Sequence, residues 1–204
     1  TIFADQQTER HIGSWEMPAS WFQSINPLGI ILLAPLFSSI WVGLGRRKME
    51  PPSPLKMAIG LGLLCLGYIV ISMGVKGVDA HTKISMWWLV ILYALHTMGE
   101  LCLSPIGLSM VSKLAPVRFA SLLMGTWFLA NAAANKLAGS LSALIPPGAG
   151  ESATAGPVTY PAIMGMQITN LYQFFMIFIV MSGLAAVMLL LIYRKLVKMM
   201  HGVH

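Results

Sequence analysis

Charge is scarce in this chain. Of its 204 residues, 10% are Asp, Glu, Lys or Arg, and only 7 are acidic. A soluble domain carries about 25% charged residues, so a water-exposed globular surface is excluded. Cysteine is scarcer still. Cys65 and Cys102 both lie in apolar runs, with no CxxC pair and no His/Cys cluster of zinc-ligand spacing. That excludes a disulfide framework and a structural zinc site, and leaves two buried, reduced thiols. No basic run is interleaved with aromatics, which sets nucleic acid aside as a partner. No short tandem repeat is found, and no signal peptide is visible in these residues. The chain opens on Thr1 and polar residues, which reads as a piece of a longer chain cut on its N-terminal side.

What is present is apolar length. The chain is 56% hydrophobic, with a mean hydropathy of +0.74. Five spans can be drawn: about Ala19–Leu44, Leu55–Val75, Ile84–Ser112, Phe119–Ile145 and Ile163–Tyr193. Each exceeds the ~20 residues that cross ~30 Å of hydrocarbon. The expectation is an all-α, multi-pass membrane protein.

The basic residues sort by connection. Arg46, Arg47, Lys48, Lys56, Lys113, Arg118, Arg194, Lys195 and Lys198 fall on one side of the spans. Arg10, Lys76 and Lys83 fall on the other, with Asp5, Glu9, Glu16, Asp79 and Glu151. The positive-inside rule puts the first set and the C-terminus in the cytoplasm. Trp15, Trp21, Trp87 and Trp88 then form an outer aromatic belt. The Gly- and Pro-rich stretch Pro146–Pro161 reads as a mobile outer loop. His201 and His204 carry no assigned role.

Against this background, polar residues at membrane depth need a reason. Ile84–Ser112 contains no Asp, Lys or Arg, yet holds Glu100 near its middle. A carboxylate at the bilayer centre costs roughly 2.5–3.5 kcal/mol on insertion scales. Glu100 is therefore either a neutral, hydrogen-bonded core acid or part of a transport pathway. His96 and Ser104 share its helix face at i±4. His96 reads equally as a packed core histidine or a proton relay. Trp127, Asn131 and Asn135 repeat the four-residue spacing in the fourth span. They suit a pocket for a small polar solute or plain interhelical hydrogen bonds. Asn26 beside Pro27 is a ligand contact or a local bond to freed backbone. Lys136 pairs with an acid or snorkels outward.

Glycines and prolines shape these helices. Gly60, Gly67 and Gly74 recur every seven residues on one face, as do Ala130, Ala134 and Ala138 every four. Close helix packing accounts for both stripes, with a sliding surface as the alternative. Pro27, Pro35 and Pro105 are expected to break their helices, since each removes an N–H donor. Breaks at such depth line cavities or are simple packing kinks.

Several motifs carry a resemblance. They are Ser24-Ile-Asn26-Pro27, Ala34-Pro35, Gly99-Glu100-Leu-Cys-Leu-Ser104-Pro105-Ile-Gly107-Leu-Ser109, Lys113-Leu-Ala-Pro116 and Met124-Gly125-Thr-Trp127-Phe128-Leu129. In this order they resemble the proton-dependent oligopeptide transporter family of the major facilitator superfamily, in its C-terminal half only. Ile2-Phe3-Ala4-Asp5 resembles the outer end of the family's seventh helix. The resemblance implies a C-terminal bundle of five spanning helices plus the remnant of a sixth. Residues 1–16 would be the outer end of a truncated helix and an outer loop. Residues 17–195 would be the bundle and 196–204 a cytoplasmic tail.

The implied activity is proton-coupled import of di- and tripeptides by alternating access. It involves no enzyme chemistry, no metal and no cofactor beyond protons as coupling ion. Glu100 matches the acid that engages the peptide amino terminus and takes part in proton coupling. Asn26 matches a peptide contact, Ser104 and Trp127 line the cavity, and Phe128 and Asn131 are nearby candidates. The implied partners are the peptide, membrane lipid and a missing N-terminal bundle. The implied location is the plasma membrane, as the bacterial inner membrane. The alternatives are the same fold carrying nitrate or another small metabolite, and a non-transporting membrane scaffold.

Overall fold

The computed structural model describes residues 4–5, 8–12, 14–77, 83–142, 145, 162–163 and 166–200. Five long helices carry the fold: α1 (Trp21–Arg46), α2 (Ser53–Val75), α3 (Met86–Leu114), α4 (Ala120–Ser142) and α5 (Leu171–Met199). All but α4 are long and apolar enough to cross a membrane. Asn131, Asn135 and Lys136 dilute the hydropathy of α4. Ala4 and Asp5 are also helical. The chain is thus an all-α transmembrane bundle.

Helix ends follow local chemistry. α2 starts behind Pro52 with Pro54 in its first turn, where a missing N–H costs nothing. It ends before Gly77, whose φ of +74° suits a residue without a side chain. Asn170 caps α5 by accepting from the Gln173 N–H at 2.8 Å, and Gln173 Oε1 accepts from the Thr169 N–H at 2.9 Å. This reciprocal cap starts the helix at Leu171, eight residues later than the apolar run suggested. The upstream residues Ala162–Ile163 and Met166–Gln167 pair as a short hairpin. At its other end α5 continues to Met199, so Arg194, Lys195 and Lys198 lie on the helix.

Neither α1 nor α3 is broken at its prolines. Pro27 and Pro35 lie inside a continuous α1, and Pro105 inside a continuous α3. The lost N–H bonds are absorbed without ending the helix. Just beyond Pro35, Ser39 Oγ bonds back to the Pro35 carbonyl at 2.6 Å, an i→i−4 contact common for serine in membrane helices.

α2 is the centre of the bundle, packed against α3 on one side and α5 on the other; α3 also carries α1 and, more sparsely, α4. The glycine stripe makes the α2–α3 seam. A Cβ on Gly60 would lie 2.8 Å from the Gly99 carbonyl, and one on Gly99 equally close to the Gly60 carbonyl. One on Gly67 would lie 2.6 Å from the His96 ring, and one on Gly74 2.7 Å from Trp88. The stripe packs α2 and α3 together at backbone contact distance. On the α5 side, Cys65 Sγ sits 3.5 Å from the Ile179 carbonyl, and Tyr68 stacks on Phe178 at 5.2 Å.

The hydrophobic core gathers at one end of the bundle, around Phe22, Ile71, Val75, Leu89, Phe174 and Phe175. Short strands cover that end. Thr8–Glu9 pairs in parallel with Ile84–Ser85, and His11–Ile12 forms a hairpin with Trp15–Glu16. Arg10 ties this cover down, with ion pairs to Asp5 and Glu16, each at 2.9 Å, and a bond to the Met17 carbonyl at 3.1 Å. At the opposite end, Lys56 is buried, ion-paired with Glu50, and 4.9 Å from the Trp41 ring centre. The stretch 146–161 and the residues His201 and His204 lie outside the described residues.

A membrane-crossing candidate site between two helices

The site begins with an asparagine on α1 and an acid on α3. Asn26 lies one turn into α1, and Glu100 lies mid-way along α3. Asn26 Nδ2 donates to Glu100 Oε2 at 2.9 Å. Both residues are half-buried. The bond is charge-assisted when Glu100 is ionised, the stronger class of hydrogen bond. It joins two polar groups that the sequence places 74 residues apart.

Thr97, three residues before Glu100, completes the cluster. It is fully buried, its Oγ1 donates to the Tyr93 carbonyl at 2.8 Å, and the same oxygen lies 3.4 Å from Asn26 Oδ1. Gly29 makes room for it: a Cβ there would sit 3.1 Å from Thr97 Cγ2. Nothing in the sequence reading singled out Thr97. The available signal was a hydroxyl at i−3 from an intramembrane acid, which shares its helix face.

The remaining candidates are arranged differently. His96 turns away from Glu100 and packs into α2, edge-on to Tyr68 with ring centres 4.7 Å apart. Its Nε2 is buried and has no hydrogen-bond partner among the described residues. Trp127 of α4 lays its ring over Gly107 of α3, where a Cβ would come within 2.2 Å of the indole. Ser104, Phe128, Asn131 and Lys136 are exposed. No side chain of these four makes a hydrogen bond or ion pair among the described residues; the Lys136 carbonyl accepts from Ser140 Oγ at 3.1 Å.

A cleft of about 440 Å³ opens between α3 and α4, lined by residues including Met110, Val111, Leu114, Leu123 and Trp127. Its volume suits a small ligand, but its walls are almost wholly apolar. It contains neither Glu100 nor Asn26. The polar pair, not this cleft, holds the chemistry that can bind a charged or hydrogen-bonding solute. Among the described residues no three His, Cys, Asp or Glu side chains gather where they could share a metal ion.

Comparison with known proteins gives this arrangement a context. A family model described as "POT family" matches residues 1–155. The chain is 43% identical over 140 residues to the peptide transporter YePEPT of Yersinia enterocolitica, covering 68% of this chain and 27% of that one. It is 33% identical over 200 residues to dipeptide and tripeptide permease A of Yersinia pestis, covering 97% of this chain and 37% of the relative. A crystal structure of a mutant of the peptide transporter POT, in complex with alafosfalin, superposes with a TM-score of 0.75 at 34% identity. That match covers 95% of this chain and 35% of the solved one. The chain therefore spans about a third of the length of the proteins it matches.

Proposed function

This chain belongs to the POT family, a family of transporters rather than enzymes, and from that premise we propose that it forms the C-terminal wall of a proton-coupled importer of di- and tripeptides. The observation that carries the reading is the Asn26–Glu100 hydrogen bond at membrane depth. An acid in such a place defaults to pathways and relays. An acid held by a neutral carboxamide, rather than by a cation, keeps its charge available to a ligand. A peptide amino terminus is a cation of the right size and sign to take Asn26's place.

The roles follow from chemistry. Glu100 binds the peptide amino group when ionised and holds the coupled proton when not. Asn26 occupies Glu100 in the absence of peptide and turns to the peptide backbone when it arrives. Trp127 supplies an apolar wall, with Ser104, Phe128 and Asn131 at its margins. A second bundle, supplied by the rest of a full-length transporter, meets the peptide carboxylate. Two bundles rocking about a midplane site give alternating access. The basic connections favour a cytoplasmic C-terminus and a bacterial inner-membrane location.

The test is Glu100→Gln in the full-length protein, reconstituted into vesicles under an imposed proton gradient. Gradient-driven dipeptide uptake is expected to fall to background. Exchange of dipeptide across the membrane without a gradient is expected to persist at reduced affinity. Uptake at the wild-type rate sinks the proposal.

A further inference from the structure

Thr97, Asn26 and Glu100 form a chain of polar groups in which one hydroxyl faces two acceptors. The Thr97 hydroxyl has a single proton. The Tyr93 carbonyl lies 2.8 Å away and Asn26 Oδ1 lies 3.4 Å away. The shorter distance and the helical i→i−4 geometry favour Tyr93. Asn26 Oδ1 keeps the weaker, longer share of the same proton. Asn26 presents its amide N–H to Glu100 and its carbonyl oxygen to Thr97, the orientation that serves an ionised carboxylate.

A protonated Glu100 reverses the requirement, because its O–H needs an acceptor. Turning the Asn26 carboxamide by half a revolution about its last side-chain bond provides one. Oδ1 then accepts from the Glu100 O–H, and Nδ2 donates to the Thr97 lone pair. The Thr97 proton then lies wholly on the Tyr93 carbonyl. Every buried donor and acceptor is satisfied in this state too, which a low-polarity environment demands. Only a group that both donates and accepts can serve the two orientations.

We infer that Thr97 is a positioning residue whose hydroxyl lets the Asn26 amide flip with the protonation state of Glu100, passing that state from α3 to α1. The inference rests on Glu100 being the proton-binding acid, as proposed above. Gly29 belongs to the device, since a side chain there presses on Thr97. Other titratable groups around the acid are few. α1 carries no charged side chain from Trp21 to Gly45. α3 itself contributes Tyr93, His96 and Cys102. α2 contributes Cys65, Tyr68 and Lys56, the last paired with Glu50. α4 contributes the exposed Lys136.

The experiment compares Thr97→Val and Thr97→Ser in the full-length transporter, measuring proton-driven dipeptide uptake across a pH series. Valine keeps the shape but cannot accept from the flipped amide, so the protonated state of Glu100 loses more support than the ionised one. The uptake profile of Thr97→Val is expected to move to lower pH by about one unit, the scale of one ordinary hydrogen bond. Thr97→Ser is expected to keep the wild-type profile. If the valine variant does not reach the membrane, Thr97→Ala carries the same expectation. An unshifted profile in the hydroxyl-free variant overturns the inference, as does a serine variant shifted as far as valine. If Glu100→Gln itself retains gradient-driven uptake, the parent reading falls and this one with it. If Glu100→Gln loses it while Thr97→Val is unshifted, only this inference falls.

Discussion

The α2 side of α3 and its α1 side are built from opposite materials. Toward α2, α3 offers Gly99, and the two backbones approach until neither glycine could hold a methyl group. His96 and Trp88 fill the spaces opposite Gly67 and Gly74. Toward α1, the same helix offers Thr97 and Glu100, which meet Asn26 through hydrogen bonds. The first seam is fixed by shape, which tolerates no rearrangement at native packing density. The second is fixed by polar groups that have more than one satisfied arrangement. A transporter needs both kinds of contact: a seam that moves as one body, and a seam that can exchange partners with its cargo.

Three substitutions probe this contrast. The largest effect is expected from Gly99→Val, which forces a branched side chain onto the Gly60 carbonyl. Backbone cannot yield as a side chain can, so a loss on the order of 3 kcal/mol or more follows. Thermal unfolding of the solubilised full-length protein, or its absence from the membrane, measures it. A valine tolerated with unchanged melting would show the seam is not set by glycine contact.

Gly67→Ala comes next. Its methyl meets the edge of the His96 imidazole, 2.6 Å away, and a cost of about 1–3 kcal/mol is expected. Adding His96→Ala should recover part of that loss, and a double-mutant cycle reads the coupling. Strict additivity would mean that the two residues do not share the space described.

Asn26→Ala should be the mildest for stability, about 1 kcal/mol for one hydrogen bond, yet it should raise the KM for dipeptide severalfold. Loss of melting temperature without change in KM would assign Asn26 to the seam rather than the site.

The helices were legible in the sequence because hydropathy accumulates over some twenty residues and survives local exceptions. Their ends were less so. The start of α5 at Leu171 depends on the Asn170–Gln173 cap, a short-range hydrogen-bond choice that an apolar count passes over. The three prolines misled for a related reason: a missing N–H weakens one rung, while the surrounding turns and neighbouring helices hold the rest. Glu100 stood out at once as a charge in the wrong solvent. Asn26 stood out as well, beside Pro27, but not as the partner of Glu100, because a contact 74 residues away is a property of packing. The stripe His96–Glu100–Ser104 also failed as a unit. Each step of four residues drifts by about 40° around a helix, so its two ends point about 80° apart. One end faces α2 and the other is exposed.

The contact between α2 and α5 has a consequence for how the protein is made. Cys65 meets Ile179 across 114 residues of chain, and Tyr68 meets Phe178 across a similar stretch. At about 5–20 residues per second, the ribosome takes on the order of 6–20 s to supply that second surface. Until then the flank of α2 that α5 covers in the finished bundle lacks that cover. The helix at the centre of the finished bundle is among the last to be enclosed. A truncation before Leu171 would leave that flank without its cover.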